Sequence, residues 1–156
     1  MADIKRTAEA VWNGELRSGR GEISSPSGVL AKTPYSFGTR FEGQPGTNPE
    51  ELIAAAHAAC YSMALAATLG RAGHQPQQVK TRAVCTLQPQ QPSGFRITKM
   101  RLETEGTIPG IDDATFQKIA AEAEQACPVS NALRGSLEIE LDAKLNQAEA
   151  SAAAEG

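Results

Sequence analysis

The longest apolar run of the chain covers residues 52–69 and consists mainly of alanine. The five residues before it, 47–51, read Thr-Asn-Pro-Glu-Glu. Here the asparagine can cap a helix, the proline suits the first helical position, and both glutamates oppose the positive helix end. Gly70 and Gly73 follow as stop signals. The pattern predicts a helix over about 48–69, and because nearly all of its faces are apolar, other elements or another subunit must enclose it.

Shorter segments in the N-terminal part alternate apolar and polar residues, which predicts strands. Residues 7–12 and 15–24 flank an Asn-Gly dipeptide, which favours a two-residue type I′ hairpin turn because both residues tolerate a positive φ. Residues 35–41 carry an aromatic side chain at most alternate positions. A strand there would place Arg40 on the face opposite the aromatic side chains.

The C-terminal part contains three further predicted strands and one further helix. Strands at 79–88 and 95–107 are separated by a segment rich in proline and glutamine, typical of a hairpin loop. In 136–145, leucine and isoleucine alternate with acidic residues, the pattern of a sheet with one wet face, for which antiparallel pairing is expected. Residues 112–126 repeat apolar positions at helical spacing. The expected fold class is α+β, with antiparallel sheets wrapped around a long central Ala-rich helix.

The length of the chain fits one domain, which we predict to cover residues 1–145. Residues 146–156 form an Ala-rich tail with little to bury, expected to fray or to be loosely helical. One further helix is too little to enclose the long apolar one. We therefore predict a homodimer in which a second subunit supplies the missing cover.

Composition and charge narrow the function classes. The chain has 15 basic and 18 acidic residues, a net charge of −3, mixed along the sequence. Nucleic acid is not an expected partner, because proteins that bind it carry a strong positive patch. The long apolar run depends on alanine, which drives membrane insertion poorly, so a buried helix of a soluble protein is expected and no membrane partner. The N-terminus has no apolar signal region, which predicts a cytoplasmic protein.

The chain has three cysteines, Cys60, Cys85 and Cys127, an odd number that does not suggest a secreted disulfide framework. Cys85 shares a predicted strand face with Ala83 and Leu87, which indicates a packing role. Cys60 lies within the long helix, and Cys127 precedes a proline that begins a further short helix, where the positive helix end favours a thiolate. Thiol chemistry of Cys60 and Cys127 is the first hypothesis. The alternatives are a small core residue at position 60 and a helix cap at position 127.

Other residues support weaker hypotheses. His57 and Cys60 stand three positions apart on one helix face, where they can form a catalytic dyad or supply two metal ligands, although no Cys-x-x-Cys accompanies them. Arg40 can pair with Glu42 or Glu50 as an ordinary surface ion pair. Neither a dinucleotide-binding nor a phosphate-binding glycine motif is present, and no cofactor is expected.

The chain contains a set of short motifs in a distinctive order. The motifs are Gly28-Val29-Leu30, Pro34-Tyr35, Thr39-Arg40-Phe41-Glu42-Gly43, Gly46-Thr47-Asn48-Pro49-Glu50-Glu51-Leu52, Ala56-His57-Ala58-Ala59-Cys60 and Cys127-Pro128-Val129-Ser130. The most specific part is Thr-Asn-Pro-Glu-Glu-Leu followed by the cysteine of the helix. Together these motifs resemble the OsmC/Ohr peroxidase family over about residues 10–145.

The resemblance implies a thiol-dependent peroxidase that reduces organic hydroperoxides, and hydrogen peroxide more weakly, in defence against oxidative and osmotic stress. It also implies an intertwined homodimer with its sites at the subunit interface. Cys60 would be the peroxidatic residue and Cys127 the resolving one, joined in a disulfide that an external dithiol reduces. Arg40 and Glu50 would form a charged couple beside the reactive sulfur.

Three alternatives stay open. The sister Ohr branch draws its arginine from an earlier segment, which makes Arg17 or Arg20 the second candidate for the activating cation. A different function class is a non-catalytic dimer that binds a ligand or senses redox state, in which the thiols do not turn over. A zinc hydrolase built on His57 and Cys60 is the third hypothesis.

Overall fold

The computed structural model describes residues 1–146, which divide into two compact units, Met1–Leu52 and a second that begins at Ile53. In the first, the N-terminal unit, the elements are β1 (Glu9–Asn13), β2 (Arg20–Ser24), β3 (Thr33–Tyr35) and α1 (Phe37–Phe41). Helix α2 (Pro49–Arg71) begins there and continues into the C-terminal unit. The remaining elements are β4 (Gln78–Pro89), β5 (Phe95–Thr107), α3 (Asp113–Ala126), α4 (Pro128–Leu133) and β6 (Glu138–Asn146).

The predicted N-terminal hairpin is present, but its turn is longer than expected. β1 and β2 pair antiparallel, with Asn13 opposite Arg20, and β3 joins the other edge of β2. Six residues therefore connect the two strands. Gly14 has a φ of 95°, but Asn13 is the last residue of β1 and not part of the turn. The prediction of a two-residue type I′ turn is therefore wrong. The backbone N–H of Gly19 donates to the carbonyl of Glu15 at 2.7 Å and closes the longer loop.

The strand predicted at 35–41 is wrong, because most of this segment is helix α1. Ser36 caps the helix: its Oγ accepts from the backbone N–H of Thr39 at 3.2 Å, and its own N–H donates to Thr39 Oγ1 at 2.9 Å. Phe37 and Phe41 are four residues apart, a spacing that fits a strand face and a helix face equally well. Their ring centroids lie 4.8 Å apart on the helix. The local capping bonds decide between the two patterns.

The long apolar helix is confirmed as α2. Its first turn is capped by Asn48, whose Oδ1 accepts from the backbone N–H of Glu51 at 2.8 Å. Its end is set by Gly73, with a φ of 86°, and by a hydrogen bond from the N–H of His74 to the carbonyl of Leu69 at 2.9 Å. Helix α2 therefore ends two residues beyond the predicted position.

By length and composition alone, α2 is able to cross a membrane, since an 18-residue window has a mean hydropathy of 1.6. A single helix of this kind is weak evidence, because the core helix of a soluble protein passes the same test. Tyr61, Leu65 and Leu69 of α2 are completely buried in the hydrophobic core of the C-terminal unit. Their burial supports the core-helix prediction.

In the C-terminal unit, β4 and β5 form the predicted antiparallel hairpin, whereas β6 runs parallel to β5. The expectation of antiparallel pairing for the last strand is therefore wrong. The reason is the connection: α3 and α4 lie between β5 and β6, and a helical crossover returns the chain to the same end of the sheet. One sheet face packs on α2 and α3, and the other carries ion pairs such as Arg101–Glu140 and Arg82–Glu103.

The predicted α+β class, with antiparallel sheets and a long helix, is confirmed. The apolar residues of α3 face the core as expected, with Phe116, Ile119, Ala120 and Ala123 buried. Of the predicted tail 146–156, Asn146 ends β6 and the other residues lie outside the described range. The boundary of a single domain at 1–145 stays a prediction.

Candidate active site

Two cysteines far apart in the sequence meet in the C-terminal unit. Cys60 is half-buried in the middle of α2, and Cys127 is completely buried between α3 and α4. Their Sγ atoms lie 3.4 Å apart. A disulfide has a sulfur–sulfur distance of about 2.05 Å, so the two thiols are in contact but not bonded.

The turn that holds Cys127 follows from its sequence. Cys127 is extended, with φ −69° and ψ 118°, because the residue before a proline is disfavoured in the helical region. Helix α3 must therefore end, and Pro128 occupies the first turn of α4. Cys127 is thus the last cap of one helix and the first cap of the next, and its Sγ accepts from the backbone N–H of Ser130 at 3.5 Å.

An ion pair links the end of α4 to α3, the two helices on either side of Cys127. The Arg134 guanidinium, at the end of α4, contacts the carboxylate of Glu124 at 2.8 Å and the Glu124 carbonyl at 3.3 Å. Glu124 is buried within the last turns of α3. The segments before and after Cys127 are therefore held together, which limits the movement of its sulfur relative to α2.

The surroundings of Cys60 in this unit favour its protonated form. Burial raises the pKa of the Cys60 thiol, and the adjacent Cys127 thiol raises it further. A hydrogen bond from the backbone N–H of Val129 acts in the opposite direction, because it stabilises the thiolate. The net effect is a raised pKa. A nearby positive charge would act against this effect and favour the thiolate.

Arg40 and Glu50 form a tight ion pair in the N-terminal unit. Arg40 Nη2 lies 2.6 Å from Glu50 Oε1, and Arg40 Nε donates to both carboxylate oxygens at 3.2 Å. Glu50 is buried, with 7% of its surface exposed. The partner of Arg40 is thus Glu50 rather than Glu42, and the forked contact fixes the guanidinium plane.

The other two candidate arginines have different surroundings. The guanidinium of Arg17 lies 4.6 Å from the centroid of the Phe37 ring, and Arg20 begins strand β2. Both line a pocket of about 210 Å³ in the N-terminal unit. The structure thus brings together Cys60 with Cys127 and Arg40 with Glu50. One pair lies in each unit, and a single site containing all four residues stays a prediction.

The hydrogen bond of the His57 imidazole goes to Ser130 and not to Cys60. His57 is completely buried, and its Nε2 lies 2.7 Å from Ser130 Oγ. Burial lowers the pKa of His57, an effect that the Glu124 carboxylate partly offsets. No three His, Cys, Asp or Glu side chains within residues 1–146 are grouped to hold a metal ion, so the zinc hypothesis lacks a ligand set there.

Sequence reasoning assigned no hydrogen-bonding role to two polar residues of this core. Ser130 was part of a motif but had no assigned role, and its position three residues after Cys127 was the available signal. Tyr61, next to Cys60, donates from its hydroxyl to the carbonyl of Ala120 at 3.0 Å, and burial raises its pKa. The packing role predicted for Cys85 is confirmed, since it packs half-buried against the core.

The mixed α+β fold and the contacting sulfurs define a class of protein that keeps two thiols within reach of each other. Residues 41–142 match the family described as OsmC-like protein. The chain therefore belongs to the OsmC-like family.

Three relatives make the comparison specific. The chain is 49% identical over 142 residues to Peroxiredoxin OsmC of Escherichia coli K12, covering 91% of this chain and 97% of the relative. It is 37% identical over 138 residues to an organic hydroperoxide resistance protein of Xanthomonas axonopodis pv. citri, covering 86% and 92%. The crystal structure of the organic hydroperoxide resistance protein OhrB of Bacillus subtilis superposes with a TM-score of 0.71 at 28% identity, covering 88% and 98%.

Proposed function

We propose that the protein is a thiol-dependent peroxidase that reduces organic hydroperoxides to alcohols in hydroperoxide stress defence. The observation that carries this proposal is the 3.4 Å contact between the sulfurs of Cys60 and Cys127. The names of the relatives, peroxiredoxin and organic hydroperoxide resistance protein, support the same reaction. Hydrogen peroxide would be a poorer substrate, and the cytoplasm is the proposed compartment.

The proposed cycle has two chemical steps in the protein. The Cys60 thiolate attacks one oxygen of the O–O bond, the alkoxide leaves and takes a proton to become the alcohol, and Cys60 becomes a sulfenic acid. The Cys127 thiol then attacks the Cys60 sulfur. The S–OH bond breaks, water leaves with the proton of Cys127, and the disulfide remains. An external dithiol returns both cysteines to the reduced form by thiol–disulfide exchange.

Arg40 is the proposed source of a positive charge beside Cys60. Its guanidinium would favour the thiolate and donate hydrogen bonds to the peroxide oxygens as charge builds on the leaving alkoxide. Glu50 would hold the guanidinium plane through the forked contact within the N-terminal unit. Because Glu50 also cancels part of the positive charge, orientation is its proposed contribution.

Replacing Arg40 by alanine should raise the pH at which Cys60 is alkylated by about one to two units, since an opposite charge lowers a pKa by that order. The measurement is the rate of iodoacetamide labelling against pH, read at the Cys60 peptide by mass spectrometry. Arg17→Ala and Arg20→Ala are the matched controls. An unchanged profile in Arg40→Ala with a shifted one in either control would transfer the role to that arginine.

The exposed face of α2 supports a homodimer. Ala55, Ala59, Met63 and Ala67 recur every fourth residue, so they form one stripe along the helix, and all four are exposed. Met63 has 75% of its surface exposed, and only 28% of the apolar window of α2 is buried. Apolar stripes of this kind mark protein interfaces, and a symmetric pair covers the same stripe in both copies.

We expect a dimer in sedimentation velocity at micromolar concentration. Met63→Glu should shift the protein towards the monomer, because a carboxylate on the stripe would be buried without a partner. Gln88→Glu, at the exposed end of β4, introduces the same charge elsewhere and should leave the dimer intact. A wild-type protein that sediments as a monomer contradicts the proposed interface.

The peroxidase proposal is tested directly with one equivalent of cumene hydroperoxide. We expect rapid loss of two hydrogens per chain, localised by peptide mapping to a disulfide between Cys60 and Cys127, together with one equivalent of the alcohol. Slow oxidation scattered over all three cysteines would instead favour the non-catalytic binding or sensing dimer. The readout distinguishes the two by the rate of oxidation and by the cysteines that are oxidised, because the peroxide yields one alcohol per two electrons whichever thiols it oxidises.

A further inference from the structure

We propose that His57 is a positioning residue of the redox pair: its hydrogen bond to Ser130 holds the Cys127 sulfur against Cys60. The biological meaning of this inference rests on the proposed peroxidase function. The geometry itself concerns two thiols and one buried hydrogen bond. It can therefore be tested without a peroxide.

The hydrogen bond links the two elements that carry the sulfurs. His57 lies one helical turn before Cys60, on the same face of α2, and Ser130 lies three residues after Cys127. The imidazole Nε2 and the Ser130 Oγ are 2.7 Å apart across 73 residues of sequence. Each partner of the bond is thus one turn from a redox sulfur.

The same short segment also contacts both sulfurs through its backbone. The N–H of Ser130 donates to Cys127 Sγ at 3.5 Å, and the N–H of Val129 donates to Cys60. A shift of Ser130 away from His57 would therefore move the donors at both sulfurs together. The side-chain bond fixes a segment on which the spacing of the two thiols depends.

Burial makes this bond a strong constraint. His57 and Ser130 are both completely buried, so water cannot replace either partner if the bond opens. His57 Nδ1 is buried with no hydrogen-bond partner among the described residues. A leucine at this position would avoid that unsatisfied nitrogen. The Ser130 hydroxyl is the hydrogen-bond partner that the described residues offer this imidazole, and a leucine would also lose that bond.

His57 acts through Ser130 and not on the reacting atoms. Its Nε2 is occupied by the Ser130 hydroxyl, and its pairing leaves Cys60 to the backbone N–H of Val129. The step that depends on this arrangement is resolution, in which the Cys127 thiol attacks the Cys60 sulfenic acid and releases water. Intramolecular reactions of this kind are sensitive to misplacement by about 1 Å.

The test measures the effective concentration of one thiol at the other, from the equilibrium between the Cys60–Cys127 disulfide and dithiothreitol. His57→Leu and Ser130→Ala should each lower it by about tenfold or more, since the pair is no longer held at contact distance. His57→Gln keeps an amide that can either donate to or accept from the Ser130 hydroxyl, and should stay within about threefold of wild type. Circular dichroism of each variant checks that the fold is retained.

Ser62→Ala is the matched control. Ser62 lies on the same helix and donates to Thr81 Oγ1 at 2.8 Å, a hydrogen bond between elements that touches neither sulfur. In Ser62→Ala, the effective concentration of the Cys60 and Cys127 thiols at each other should equal that of wild type. A loss in Ser62→Ala as large as in His57→Leu would overturn the inference, because any side-chain hydrogen bond from α2 to another element would then have the same effect. Wild-type values in both His57→Leu and Ser130→Ala would also overturn it.

These outcomes are separate from those of the peroxidase proposal. Normal alcohol formation by wild type, with unchanged dithiol equilibria in the His57 and Ser130 variants, rejects only the positioning role. Lowered effective concentrations with no alcohol formed by wild type reject the peroxidase and retain the structural role of the hydrogen bond.

Discussion

Cys60→Ser should abolish peroxide turnover, with kcat/KM lower by about a thousandfold or more. A serine hydroxyl is essentially un-ionised at neutral pH and cannot replace the thiolate that attacks the O–O bond. The measurement is consumption of cumene hydroperoxide with a dithiol as reductant. The protein should remain folded, because Cys60 is half-buried and serine is nearly isosteric.

Cys85→Ser is the control for this result. Cys85 packs half-buried on β4 and has no role in the proposed cycle, so its variant should keep turnover close to wild type. Substantial steady-state activity in Cys60→Ser would contradict the assignment of the peroxidatic residue. Loss of activity in Cys85→Ser alone would move the chemistry to a different sulfur.

Cys127→Ser should complete one turnover per chain and then stall. The first step needs only Cys60, so a burst of one alcohol per chain is expected in the absence of reductant. Without the adjacent thiol, the sulfenic acid persists and is oxidised further to sulfinic and sulfonic acid by excess peroxide. Steady-state turnover should fall by about a hundredfold, since an intermolecular thiol must replace one held in contact.

Mass spectrometry of the Cys60 peptide identifies the trapped species. A dimedone adduct on Cys60 in Cys127→Ser, absent in wild type, is the expected signature of the persistent sulfenic acid. Full steady-state activity in this variant would mean that Cys127 does not resolve the intermediate. In that case the contact between the two sulfurs would be one of packing.

The fold was predictable where the signals are local. Helix α2 has a cap, a proline and carboxylates at its start and glycines at its end, and the structure follows them within two residues. The strand expected at 35–41 failed because Phe37 and Phe41 satisfy both periods, and the deciding bonds between Ser36 and Thr39 are small polar contacts. The direction of β6 depends on the crossover before it, and the alternating pattern of a half-wet strand does not contain that information.

The candidate site was likewise predictable only where the signal is local. The turn at Cys127 was readable from the proline that follows it. Its contact with Cys60 joins residues 67 positions apart, which no local pattern encodes, and the family resemblance supplied the expectation of pairing. The sequence analysis paired His57 with Cys60 or with a metal, whereas its hydrogen bond goes to Ser130 of α4, because a helix face reveals only neighbours on the same helix.

The sequence separation of the two cysteines means that the proposed disulfide would couple redox state to thermal stability. A disulfide between them would close a loop of 67 residues that contains β4, β5 and α3. Restricting the unfolded chain over a loop of this length favours the folded state by about 4 kcal/mol on the chain-entropy model. The form oxidised by peroxide would thus be more heat-resistant than the form reduced by the dithiol. Each catalytic cycle would raise and then lower the thermal stability of the protein.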